Sequence, residues 1–408
     1  MPEVELRIRI APSLAEIPAE TWDACACPAV KVLDEDNLSP ELSTQGYPYN
    51  PFISHGFLHS LEQSVSVGGR SGWQPRHLLA EDASGQLLGC APCYVKLHSQ
   101  GEYVFDAGWA DAYERAGGDY YPKLQVAVPF TPVTGRRLLV RPGPQAATIR
   151  GALGDALSEI TTASQLSSAH VTFLTEAESC LLGERGYLQR TDQQFHWHNQ
   201  GYATFEDFLS ALSSRKRKAI RRERKEALAA GVEVVPLTGS DLTEEVWDAF
   251  FRFYMDTGSR KWGRPYLTRE FFSIVGATMP DKILLVMARR EGRWIAGAIN
   301  FIGGDALYGR NWGAVEHHPF LHFELCYYQA IDYAIAHKLA RVEAGAQGEH
   351  KLARGYLPQT TYSAHFIAHP GLRRAVADYL ARERAYIQAA GEELAAAAPF
   401  RKDLAEQE

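Results

Sequence analysis

The chain has 408 residues, 46% of them hydrophobic, and a formal net charge of −7. That length predicts two domains rather than one, and the apolar share is ample for two cores. The negative balance removes bulk charge as a reason to bind nucleic acid; no run of about twenty apolar residues predicts a membrane span; and the absence of a secretory leader pattern, with six scattered cysteines, predicts a cytoplasmic protein without a disulfide scaffold.

In chain order, 4–10 alternates like a strand and 13–25 has helical period, with Ser13 as its cap. Residues 34–53 are rich in Pro, Asn, Asp and Ser and are expected to be a loop. Ser54 caps a helix over 55–64, and 77–80 with 87–97 predicts a hairpin turning at Asp82-Ala-Ser-Gly85. Cys90-Ala-Pro-Cys93 lies inside that apolar strand run, not at a strand-to-helix junction, and is assigned to the core. The block Gly101-Glu-Tyr-Val-Phe-Asp-Ala-Gly-Trp, with Tyr120-Tyr-Pro-Lys and Val128-Pro-Phe-Thr-Pro, mixes aromatics with charges as ligand clefts do. It makes Glu102, Asp106, Trp109, Tyr121 and Lys123 candidate substrate-binding residues. A helix over 145–164, a buried strand over 169–174, a helix over 176–184 and a strand over 187–198 complete a first domain, 1–200.

The second domain, 201–408, opens on a long helical run over 205–230. It contains Arg215-Lys-Arg-Lys-Ala-Ile-Arg-Arg-Glu-Arg-Lys225, in which eight of eleven residues are basic. Like charges so dense repel one another unless an anion takes them up, so Arg217, Lys218, Arg221 and Arg222 are candidates for donor phosphates. A strand over 232–237 and helices over 242–256 and 269–277 follow, and between those helices Lys261 and Trp262 are further substrate-binding candidates. Antiparallel strands are expected over 283–288, 294–302 and 307–312.

The stretch 321–358 has the densest chemistry. A helical face recurs through Phe323, Tyr327, Ala330, Ile331 and Ala334, and 339–344 reads as a short buried strand. Gly345-Ala-Gln-Gly-Glu-His-Lys-Leu-Ala-Arg-Gly then gathers ionisable residues between glycines that let backbone approach a ligand. Gln347 and His350 are candidates to bind substrate, Lys351 and Arg354 to hold phosphate or a developing oxyanion. Glu343, Glu324 and Glu349 are carboxylates that could serve as general bases. His317 and His318 are adjacent and face apart, so no metal is expected. A strand over 361–368 and an Ala-rich helix from 372 end the chain. Both halves share one element order, which suggests a duplicated unit.

That order, with Gly101-Glu-Tyr-Val-Phe-Asp, Tyr120-Tyr-Pro-Lys, Pro129-Phe-Thr-Pro, Lys261-Trp-Gly-Arg-Pro-Tyr, His322-Phe-Glu-Leu-Cys-Tyr-Tyr-Gln and Glu343-Ala-Gly-Ala-Gln-Gly-Glu-His-Lys, resembles the FemAB-like branch of the GNAT N-acyltransferases, over nearly the whole chain. The resemblance implies an α+β fold of two tandem GNAT-like domains with splayed mixed sheets. It also implies acyl or aminoacyl transfer to an amine on a small molecule or peptide, such as a cell-wall precursor. The donor would be acyl-CoA or aminoacyl-tRNA. The usual CoA pyrophosphate loop is incomplete at Gly313-Ala-Val-Glu-His-His-Pro-Phe-Leu-His, and the Fem ligases that also lack it take aminoacyl-tRNA. Tyr356 would protonate the leaving group. The alternative is a non-catalytic protein that recognises a peptidoglycan-like or peptide ligand in a cleft between the domains.

Overall fold

The computed structural model describes residues 5–28, 47–262, 265–345 and 348–401, leaving out the side chains of 259–262 and of Glu349. The chain divides into two units, Met1–Thr191 with Thr361–Arg384, and Asp192–Thr360 with Ala385–Glu408. A single cut near residue 200 therefore misplaces one segment: Thr361–Arg384 belongs with the first unit.

The first unit runs β1 (Arg7–Ala11), α1 (Ala19–Ala26), α2 (His55–Gln63), β2 (Trp73–Pro75), β3 (His77–Glu81), β4 (Leu87–Ala91), β5 (Cys93–Lys96), α3 (Ala107–Arg115), β6 (Lys123–Val126), β7 (Leu139–Val140), α4 (Ala146–Ala163), β8 (Ser168–Leu174) and α5 (Glu176–Glu184). Strands β1, β3, β4 and β7 form one antiparallel sheet. The predicted strand over 87–97 is split at Pro92: β5 pairs instead with β2 and β6, and β6 lies parallel to β8. Proline has no N–H to donate, so the ladder changes partners there. Helix α4 lays Ile149, Leu153 and Leu157 on the core formed with Val126, Val171 and Leu174. The start of α5 is fixed by a capping box in which Thr175 and Glu178 satisfy each other's backbone N–H groups.

After β9 (Leu188–His198), the second unit runs α6 (Phe205–Ala211), α7 (Ser214–Ala227), β10 (Val232–Leu237), α8 (Glu244–Trp262), α9 (Arg269–Thr278), β11 (Ile283–Arg290), β12 (Arg293–Ile302), β13 (Ala306–Ala314), α10 (Leu321–Phe323), a π-helical turn (Glu324–Tyr328), α11 (Gln329–Ala336), β14 (Arg341–Glu343) and a 3-10 turn (Glu349–Arg354). The chain then forms β15 (Leu357–Ile367) and α12 (Pro370–Ala396). Strands β10 to β13 make an antiparallel meander. The turn between β11 and β12 is the expected Glu291-Gly292, both at positive φ, as a tight two-residue hairpin demands.

Strand β14 returns parallel to β13, but their pairing ends at Tyr308 with Glu343, while β13 continues to Ala314 beside β12. The sheet is therefore splayed at that point. Strand β9 pairs antiparallel with β14, and β15 pairs antiparallel with β8. Each unit thus holds antiparallel strands, a parallel pair joined by a helical crossover, and a further antiparallel strand: a mixed α+β fold used twice.

Two elements differ from expectation. The helical run over 205–230 breaks at Leu212, which turns extended and fully buried to bridge Phe400. Helix α3 was hidden by the aromatic and acidic residues mixed along it. The expected loop over 34–53 falls largely outside the described residues. Among the described residues no helix is long and apolar enough to cross a membrane.

Candidate active site

After β14, Gly345 and Gly348 sit at φ of 78° and 121°, where a side chain would be strained. The Lys351 ammonium lies 2.8 Å from the Gly345 carbonyl. Lys351 is only 2% exposed, and among the described residues no carboxylate pairs with it. Burial, reinforced by the Arg310 guanidinium, brings its pKa down to about 7 against a weaker opposing pull from Cys326. A lysine so held is substantially neutral near physiological pH and can accept a proton.

Aromatic rings surround this turn. His350 and the Tyr327 hydroxyl are 2.9 Å apart, Phe323 lies 5.6 Å from the His350 ring, and Trp312 lies 5.0 Å from the His322 ring. Tyr327 comes from the π-helical turn, a local geometry found often at functional sites. Arg354 stacks over Phe323 at 3.4 Å, donates to the His350 carbonyl at 2.6 Å and to Glu223 at 2.9 Å. It is thus already paired, rather than open to a phosphate. Tyr356 is fully buried with its hydroxyl 3.5 Å from the Tyr327 carbonyl, and burial pushes its pKa well up.

The carboxylates fall elsewhere. Glu343 is 1% exposed; one oxygen accepts from Arg341 at 3.0 Å, while the other has no donor and lies 3.9 Å from His196. Val342 and Ala344 pack with Tyr327, Tyr328, Leu352 and Tyr356, so by strand alternation Glu343 faces the opposite way. The Arg310 guanidinium bears both on Lys351 and on His196, the neighbour of Glu343. Glu324 is fully buried and accepts from Arg224 at 2.9 and 3.1 Å and from Gln329 at 2.8 Å. A carboxylate held by three donors is a structural partner, not a free base. Gln347 lies outside the described residues, as do the side chains of Glu349, Lys261 and Trp262.

Helix α7 carries the basic run. Arg215, Lys218, Arg221, Arg222 and Lys225 are exposed along it. Arg221 pairs with Glu206, and Arg222 with Glu226 at 3.6 Å. Among the described residues no carboxylate pairs with Arg217 or Lys218.

In the first unit, Glu102, Asp106 and Lys123 come together in a buried network. The Lys123 ammonium spends its three protons on Ser99 at 2.8 Å, Glu102 at 2.8 Å and Asp106. Although burial opposes it, those two carboxylates keep Lys123 charged, with its pKa raised. Asp106 also accepts from the Tyr120 hydroxyl at 2.7 Å. Trp109 packs edge-on against His365 at 5.0 Å, and His365 shares a 2.6 Å hydrogen bond with His170. Only Tyr121, hydrogen-bonded to Ser99, is half-exposed among the five residues named for this block. Lys96 joins the network fully buried, over the Trp73 ring at 3.8 Å, and burial lowers its pKa to about 7.

Sequence reasoning missed Arg310, Arg341, His196 and Lys96. Each sits on a strand in an ordinary-looking pattern, and only pairing across strands shows what it faces.

A family model described as peptidoglycan biosynthesis/recognition, FemAB-like, matches residues 13–402. Among solved structures the chain is similar to FemX, at 12% identity over 79% of this chain and 93% of that one, with a TM-score of 0.49. It is similar to a tandem GNAT protein from the clavulanic acid biosynthesis pathway, at 12% identity over 90% and 99%, TM-score 0.44. It is also similar to L-PGS from Bacillus licheniformis, at 8% identity over 82% and 98%, TM-score 0.49. Among curated proteins no sequence matches.

Proposed function

As the chain belongs to the FemAB-like family of peptidoglycan biosynthesis/recognition proteins, we propose that it is a transferase that moves an acyl or aminoacyl group onto an amine, with Lys351 as the proton acceptor. The observation that carries this reading is the buried Lys351 amine, unpaired by any carboxylate among the described residues and hydrogen-bonded to Gly345.

An amine that attacks a carbonyl forms a tetrahedral oxyanion and must shed a proton. Neutral Lys351 takes that proton. The ammonium it becomes, together with Arg310 beside it, supplies positive charge for the oxyanion. The proton then leaves with the departing donor group, which returns Lys351 to its neutral form. The base is placed at Lys351 rather than at Glu343 because Glu343 is tied to Arg341.

The donor is acyl-CoA or aminoacyl-tRNA. Both carry phosphates, which fit the cations of α7, Arg217 and Lys218 among those with no carboxylate partner among the described residues. The acceptor is an amine on a cell-wall precursor or a related peptide. Glu102, Asp106 and Lys123 are bonded in a buried network of their own and take no part in this scheme.

The test is a transfer assay read by mass spectrometry. Acetyl-CoA and a mixed aminoacyl-tRNA pool are each offered with a precursor peptide bearing a free amine. Wild-type protein is expected to form an amide with one of them, and Lys351→Met to lose roughly 10²–10⁴-fold in rate, as for loss of a general base. A folded Lys351→Met protein that transfers at the wild-type rate contradicts the reading.

A further inference from the structure

Glu223 is the one acidic residue in the basic run at 215–225, and the structure shows what it does there. Its carboxylate turns inward from α7 and accepts from the Tyr328 hydroxyl and from Arg354 at 2.9 Å. Arg354, with its side chain 7% exposed, uses another arm of its guanidinium on the carbonyl of His350, at 2.6 Å. That carbonyl belongs to the peptide bond joining His350 to Lys351. One residue along α7, Arg224 grips Glu324 and Asp332 at 2.9 and 2.7 Å, which holds the helix against the π-helical turn.

We propose that Glu223 is a positioning residue: through Arg354 it fixes the turn that presents Lys351, so α7 sets the site with its inner face while its outer face offers cations to a donor. This rests on the reading of Lys351 as proton acceptor. The physics is that of a buried ion pair. Removing one partner leaves the other charge uncompensated in a dry place, so Arg354 without Glu223 moves toward water and lets go of the His350 carbonyl. The turn then loosens, and Lys351 gains solvent. The other groups that bear on Lys351 are Arg310 from β13 and Cys326 from the π-helical turn, with His350 adjacent in the chain.

The experiment needs no substrate. Full-length protein is pulsed with acetic anhydride from about pH 5 to about pH 11, spanning lowered and ordinary lysine values. Peptide mass spectrometry reads acetylation of Lys351 against that of exposed Lys218. Glu223→Gln is expected to raise the Lys351 midpoint by about one pH unit or more, as hydration returns to a buried amine. Tyr328→Phe, which leaves the Glu223–Arg354 pair intact, is expected to keep the wild-type midpoint. A folded Glu223→Gln protein with an unchanged midpoint overturns the proposal. Should that variant not fold, Arg354→Lys decides: it keeps the charge but loses the fork that reaches both Glu223 and His350. A raised midpoint there supports the latch, and an unchanged one overturns it. A wild-type midpoint at the ordinary lysine value would sink the transfer reading instead, leaving the latch to be judged from the difference between variants.

Discussion

Two buried ionisable residues near the end of β14 have opposite kinds of surroundings. Lys351 has a carbonyl and a neighbouring guanidinium but no carboxylate partner among the described residues, so burial works against its charge. Glu343 has Arg341 against it at 3.0 Å, and Arg341 is also paired with Asp305. The first is suited to exchanging a proton and the second to holding structure. Glu343→Gln is therefore expected to keep transfer activity and to lose stability, by about 1–3 kcal/mol, since Arg341 is left partly unsatisfied in a buried place. Chemical denaturation measures the loss. If the variant is as stable as wild type yet inactive, the carboxylate belongs to the chemistry after all.

Among the elements, α7 shows how much a pattern reveals and where it stops. Charge density along 215–225 is visible from sequence alone, with Glu223 the one acidic residue in the run. The sequence does not show that Arg221 and Arg222 find carboxylates of their own, or that Glu223 turns inward. If the outer face of α7 holds donor phosphates, binding should weaken as salt rises, since exposed charges are screened within about 10 Å at 0.1 M. The Arg217→Ala, Lys218→Ala pair should then cost more affinity than Arg221→Ala, Arg222→Ala. Titration of CoA and of tRNA at two ionic strengths measures both. Equal losses from the two pairs would contradict a role for the unpaired cations in particular. Apolar period placed α4, α5, α9 and the β11–β12–β13 meander to within a few residues, because each buries one continuous face. It failed where a local event overrode it: Pro92 splitting a strand, Leu212 diving into the core, and α3, along which aromatic and charged residues mix.

At the scale of the molecule, the repeated element order was legible because both units solve the same problem in the same way, with a parallel strand pair bridged by a helix. The segment exchange was not. Nothing local in 361–384 says that it pairs antiparallel with β8; that follows only from which strand has a free edge. The site was half legible for the same reason. Glycines and ionisable residues marked 345–355 as chemically dense, yet only the structure shows that Glu343 has Arg341 against it while Lys351 has a backbone carbonyl.

The most direct measurement is the pH dependence of single-turnover amide formation by wild-type protein and by Lys351→Arg. A proton acceptor works in its neutral form, so wild-type activity should be low in acid, rise through pH of about 7 as Lys351 loses its proton, and level off above. Arginine keeps the positive charge at every accessible pH, so Lys351→Arg should remain inactive throughout. If Lys351→Arg transfers at a rate near wild type, the residue acts as a fixed cation toward phosphate or oxyanion, and the account of it as the base is wrong.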